Sequence, residues 1–190
     1  ADALSLVPHT GFGRLMIYSD QPCRPFDRDR KGLNLGEGAA ALVLESAEHA
    51  RSRNAAVLGH VLGYGNASDA HHFTAPHPEG RGAELAMRMA LKKAELEPCD
   101  IDYVNAHGTS TMADTIELGA VKRVLGDDLC GASMSSTKSA IGHLLGGAGA
   151  VEASAVARAI ADADAEIDGH LGARYPVPLA TVPALARKIS

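Results

Sequence analysis

The chain has no tryptophan, and four tyrosines and three phenylalanines bring its aromatic share to only 4% of 190 residues. The interleaved aromatic and basic residues on which single-stranded nucleic acid stacks are therefore missing. No run of Lys or Arg occurs, and the formal net charge of −5 argues against a nucleic-acid partner. No stretch approaches the roughly 20 apolar residues of a membrane-spanning helix, so no membrane partner is expected. Residues 1–8 (ADALSLVP) lack the basic n-region and apolar core of a signal peptide. No initiator methionine precedes Ala1, which points to a fragment or a processed piece. The only cysteines, Cys23, Cys99 and Cys130, are odd in number and widely spaced. Free thiols in a reducing, cytoplasmic compartment are expected of them, rather than a disulfide framework.

What is present is an ordinary globular composition, 46% apolar and 22% charged, with 20 glycines. Residues 1–38 are turn-rich. Two apolar runs without strict alternation, Ala39–Leu44 and Val57–Tyr64, read as strands covered on both faces. Ser46 reads as the N-cap of a short helix ending near Arg53. Ser68–Arg81 reads as a loop. A helix is predicted over Glu84–Leu96, with Leu85, Met89 and Lys92 on neighbouring turns and Pro98 ending it. Ile101–Val104 and Ala132–Ser136 read as strands, separated by a helix that Asp114 caps and Gly126 stops. From His143 to Ile160 the chain is apolar nearly all round, with Glu152 its only charge before Arg158, and predicts a buried helix. Beyond about Ala161 the pattern decays, and Pro176, Pro178 and Pro183 make a long helix improbable there. Alternating strands and helices predict an α/β fold with a mostly parallel sheet.

Two stretches carry chemistry. In Asn105-Ala106-His107-Gly108-Thr109-Ser110-Thr111 a histidine follows a strand end, where α/β sheets place their ligands. In Ser135-Ser136-Thr137-Lys138-Ser139-Ala140-Ile141-Gly142-His143 a second histidine precedes the apolar helix, whose positive end disfavours imidazolium. Two neutral imidazoles converging on one oxygen would stabilise a developing enolate or oxyanion. A lone His-Gly-Thr would more often be an ordinary capped turn; the full run weakens that reading. Lys138 reads as a solvated loop lysine or as a charge tuning the imidazoles. Glu152, if buried, must be paired. His71, His72 and His77 do not complete a zinc geometry, and no metal is expected.

These motifs, together with Arg24-Pro25-Phe26-Asp27, Gly32-Leu33-Asn34-Leu35-Gly36-Glu37-Gly38-Ala39 and Ser68-Asp69-Ala70-His71-His72-Phe73-Thr74, resemble the β-ketoacyl-acyl carrier protein synthases over roughly residues 20–160. The resemblance is to the C-terminal portion of the stand-alone, KAS II-like enzymes. It implies a thiolase-like fold of layers α-β-α-β-α, with residues 1–54 ending the N-terminal half and 55–190 forming the C-terminal half. It implies a decarboxylating Claisen condensation in fatty acid or polyketide synthesis, acyl carrier protein as partner, a homodimer in the complete enzyme and a cytoplasmic location. No separate cofactor is implied, since phosphopantetheine arrives on the carrier. By resemblance His107, His143 and Lys138 are catalytic, Thr109, Thr111 and Thr74 line the pantetheine tunnel, and Glu152 is structural support. The family's nucleophile stands in an Ala-Cys-Ser context that none of the three cysteines has, and its Gly-Phe-Gly-Gly segment is missing. Met112 stands where proline is common, in a loop one residue short. Alone, the chain is expected not to turn over. A non-catalytic partner of the chain-length-factor kind is the alternative, and a degradative thiolase a poorer one.

Overall fold

The computed structural model describes residues 1–168 and 184–186, with side chains described through residue 161. Helix α1 (Leu6–Arg14) is followed by a turn-rich stretch and α2 (Ala47–Ser52). Next come α3 (Arg81–Ala94), strand β1 (Tyr103–Asn105), α4 (Ala113–Leu125) and β2 (Ser133–Ser135). A four-residue helix α5 (Lys138–Ile141), the long α6 (Ala148–Asp168) and β3 (Ala184–Ala186) complete the order. The sheet runs β2-β1-β3. β1 and β2 are parallel, with Tyr103 opposite Ser133 and Asn105 opposite Ser135, whereas β3 is antiparallel to β1. No helix among the described residues is long and apolar enough to cross a membrane.

The core forms where α3 and α4 pack together over β1. Met87 and Leu91 of α3 meet Val121 and Leu125 of α4, with Ile101 and Val104 beneath them. The buried face of α3 differs from the one expected: Ala86, Met87, Ala90 and Leu91 are inside, and Leu85 is 52% exposed. Small side chains on that face let another backbone lie directly on the helix. A Cβ on Gly65 would strike the Ala86 carbonyl, so the segment before α3 can approach this closely only as glycine. The helix ends before Pro98 is reached. Glu95 turns left-handed at φ 56°, and Leu96 N–H donates to Leu91 O at 3.1 Å, a Schellman-type closure.

Ser46 caps α2 as expected, its hydroxyl accepting from His49 N–H at 3.1 Å. The turn-rich N-terminal stretch also holds α1, which the sequence reading missed because this helix buries none of its residues. The two apolar runs behave differently from expectation: 39–44 and 57–64 form no strand. No backbone hydrogen bond joins either run to another described residue, and Val43 is 84% exposed. A strand exists only as part of a ladder, because its N–H and C=O groups need a neighbour. The last helix is also corrected. It begins at Ala148, not His143, and continues to Asp168. Through residue 161 it buries one face, with Glu152, Ala153 and Val156, while Ala155, Arg158 and Ala159 are exposed. The three C-terminal prolines lie outside the described residues.

Cys99 and Cys130 overturn the expectation of free thiols: they are joined in a disulfide. Separation along the chain is not separation in space, and the turns preceding β1 and β2 lie side by side because the strands do. Cys23 alone is free, and it is buried.

Candidate active site

Strand β1 delivers His107 to one mouth of the sheet, and α4 fixes the loop that follows. Four consecutive amides are held by two carboxylates spaced one helical turn apart. Glu117 accepts from His107 N–H at 2.7 Å and from Gly108 N–H at 2.8 Å. Asp114 accepts from Thr109 N–H at 2.9 Å and Ser110 N–H at 3.1 Å. It also accepts from Phe26 N–H at 2.8 Å, tying in the N-terminal segment. Asp114 is therefore not the N-cap expected of it; Met112 holds that position, and the Asp114 carboxylate faces back into the loop. Arg30 completes the seam, donating to Thr111 O and to the Thr115 hydroxyl, both at 2.8 Å. The sequence marked Asp114 only as a helix cap and did not mark Glu117 at all. The available signal was their i, i+3 spacing on a helix of mainly apolar face.

Strand β2 delivers the second motif. Ser136 donates to Gly108 O at 2.8 Å and joins the two loops. Lys138 is only 1% exposed, and its Nζ lies 2.5 Å from Glu152 Oε1. The solvated-loop reading of Lys138 thus fails, and the buried Glu152 has the partner its burial demands. His143 is placed by backbone on both sides. Its N–H donates to Asn34 O at 2.8 Å and its carbonyl accepts from Gly36 N–H at 3.0 Å. A Cβ on Gly36 would collide with the Ile141 carbonyl, so this pairing requires glycine there. Asn34 also accepts from Cys23 N–H at 2.7 Å through its side chain, and Cys23 Sγ donates to Lys138 O at 2.8 Å.

The rings of His107 and His143 meet edge to face, with centroids 5.1 Å apart at 85°. Both are held neutral. Crowding by protein atoms, then the Lys138 charge, then His143 push the His107 pKa down to about 3, although the residue is exposed to solvent. Burial and then Lys138 push His143 down to about 4. The cause is therefore burial and a neighbouring cation, not the start of the long helix, which lies five residues further on. Leu145 N–H donates to His143 Nδ1 at 3.3 Å. That bond leaves the ring proton on Nε2. Glu117 moves the opposite way: burial raises its pKa against the two amides that lower it.

The threonines divide. The Thr109 and Thr111 hydroxyls sit 2.9 Å apart beside His107, and Thr111 also accepts from Ala113 N–H at 3.2 Å. Thr74 is exposed, and both its amide and its hydroxyl turn onto His72 Nδ1; among the described residues no hydrogen bond joins it to the histidine pair. No cysteine stands ready as a nucleophile. Burial raises the Cys23 thiol pKa, and the other two are cross-linked. Among the described residues no three metal-binding side chains converge.

Residues 58–165 match the family model "Beta-ketoacyl synthase, C-terminal domain", and residues 2–50 match "Beta-ketoacyl synthase, N-terminal domain". The chain is 60% identical over 148 residues to a 3-oxoacyl-[acyl-carrier-protein] synthase 2 of Rhizobium meliloti, covering 76% of this chain and 35% of that protein. A synthase of the same name from Synechocystis is 46% identical over 167 residues, covering 84% and 40%. Among solved structures, the ishigamide ketosynthase/chain length factor superposes with TM-score 0.80 at 41% identity, over 85% of this chain and 40% of that one. A type II polyketide ketosynthase in complex with its acyl-carrier protein gives TM-score 0.79 at 33% identity, over 85% and 42%. The chain thus spans 35% to 40% of the length of these two curated relatives. With over half its length matched by one family model and both histidine motifs in place, the chain belongs to the β-ketoacyl synthase family and has its thiolase-like α/β fold.

Proposed function

We propose that the complete protein containing this chain is a 3-oxoacyl-acyl carrier protein synthase. It joins an acyl thioester to malonyl-carrier protein by a decarboxylating Claisen condensation. The observation that carries this reading is the pair of neutral imidazoles, His107 and His143, facing one another at 5.1 Å. As malonyl thioester loses carbon dioxide, negative charge moves onto its carbonyl oxygen. His143 Nε2–H and the His107 ring supply donors to that oxygen without first giving up a proton. Crowding by protein atoms, and after it the Lys138 charge, keeps both rings neutral. Glu152 pairs with Lys138, so that lysine is not buried without a counter-charge.

The Thr109 and Thr111 hydroxyls, already oriented by one another, are proposed contacts for the pantetheine arm of acyl carrier protein. Thr74 joins that role through the resemblance of its loop. The acyl-carrying cysteine is supplied by sequence beyond this chain, since Cys23, Cys99 and Cys130 are all otherwise engaged. We place the junction of the two family halves at residues 54–55, the complete enzyme as a cytoplasmic homodimer, and the pathway in fatty acid synthesis. Retention of both histidines favours an enzyme over a non-catalytic chain-length-factor-like partner. The test is ketoacyl product formation by the full-length protein from acyl- and malonyl-carrier protein. A full-length protein that forms an acyl-enzyme yet never decarboxylates malonyl-carrier protein would overturn the assignment.

A further inference from the structure

We propose that Cys99 and Cys130 are a redox-responsive modification site, whose disulfide staples closed the loop carrying the His107 half of the site. The two cysteines sit on separate one-turn 3-10 helices, Pro98–Asp100 just before β1 and Leu129–Gly131 just before β2. Because β1 and β2 run parallel with Tyr103 opposite Ser133, both turns reach the same end of the strand pair. The Cα atoms are 5.0 Å apart, close to the spacing of neighbouring strands. The backbone around the cross-link is held independently of it. Ser133 N–H donates to Asp102 O at 2.9 Å, and Asp128 accepts from Cys130 N–H at 3.1 Å. The thiols are thus brought together by strand pairing, whatever their oxidation state.

Position gives the pair its consequence. The cysteines are 31 residues apart, and that interval contains β1, the His107–Thr111 loop and all of α4 with Asp114 and Glu117. Closing it removes freedom from the unfolded chain and stiffens the segment that places His107. Cys99 is exposed and Cys130 partly so, which lets a small thiol reach the bond. Cys23 is set apart, buried with its S–H on Lys138 O.

The reaction needs a low-molecular-weight disulfide of the glutathione type. The Cys99 thiolate attacks one sulfur of that disulfide, its S–S bond breaks, and one small thiol leaves. Cys130 then attacks the Cys99 sulfur of the mixed disulfide and expels the second small thiol. Two electrons pass to the small disulfide, and the two cysteine protons end on the two small thiols. Reduction is the reverse.

The proposal does not depend on the condensing activity, so it is tested on the 190-residue chain itself. The chain is equilibrated in glutathione buffers from reducing to oxidising, quenched, denatured, alkylated with N-ethylmaleimide and weighed intact. Expected are three adducts at the reducing end and one, on Cys23, at the oxidising end. Tm should be about 10 °C higher when oxidised. Hydrogen exchange should slow more over residues 103–125 than over α3. Cys23→Ser should keep the full Tm shift, and Cys99→Ser/Cys130→Ser should lose it. Three adducts in every buffer would overturn the proposal, as would stable glutathione adducts in place of the internal bond. So would an oxidised chain with unchanged Tm and exchange, or a shift surviving in the double variant.

Discussion

Lys138 Nζ and Glu152 Oε1 lie 2.5 Å apart inside the protein, joining the second histidine motif to the long C-terminal helix. The positive member of this ion pair bears on both imidazoles. Removing one partner leaves a buried charge uncompensated. Lys138→Met should destabilise the fold by about 3–5 kcal/mol, and Lys138→Met/Glu152→Leu should recover most of that loss. Chemical denaturation of the three proteins measures this; additive losses in the double variant would show the pair is not coupled.

His143→Ala in the full-length enzyme removes one donor to the enolate oxygen. Malonyl decarboxylation should fall about 10²–10³-fold, or roughly 3–4 kcal/mol. Acylation of the nucleophile builds no enolate and should fall less. The two half-reactions, followed separately, decide this: equal losses contradict the assigned role.

The histidines also predict a pH dependence. Their folded pKa values, about 3 and about 4, lie below the ordinary 6.5. Between those limits the unfolded chain binds protons that the folded chain does not. Stability from this source is complete above pH 6.5 and is lost as pH falls toward 4. Glu117, shifted upward, acts in the opposite sense. Replacing both histidines by glutamine should therefore flatten the fall in Tm between pH 7 and pH 5. A variant with the same slope as the wild type would mean the rings titrate normally.

Glu117 satisfies two amides at once. Glu117→Ala leaves both unpaired and should cost about 2–4 kcal/mol, with Glu117→Gln costing less because one acceptor remains. Thermal unfolding of both variants checks the order, and equal costs would assign the loss to packing.

Residues 39–44 expose apolar side chains on a segment with no ladder partner among the described residues. The isolated 19.7 kDa chain should therefore associate. Val43→Lys should shift sedimentation equilibrium toward monomer. A wild-type monomer that unfolds cooperatively would show the segment to be harmless.

The residues alone determined the α/β alternation, the Ser46 cap, the two histidine motifs and the need for a partner at Glu152. Each is a local matter of hydrophobic spacing, cap chemistry or the cost of burying a charge. Tertiary structure decided the rest. Whether 39–44 and 57–64 become strands depends on neighbours distant in sequence, and their apolar pattern carries no record of whether those neighbours are present. The buried face of α3 was set by a glycine backbone pressed onto its alanines, so Leu85 was left outside although periodicity favoured it. Asp114 was legible as a helix-start residue, but only the return of Phe26 beside it showed that its carboxylate gathers three amides. Cys99 and Cys130 looked remote because they are 31 residues apart; parallel pairing of β1 with β2 brings their turns together. The neutrality of His107 and His143 likewise rests on crowding by protein atoms and on the field of Lys138, which exist only once the two loops meet.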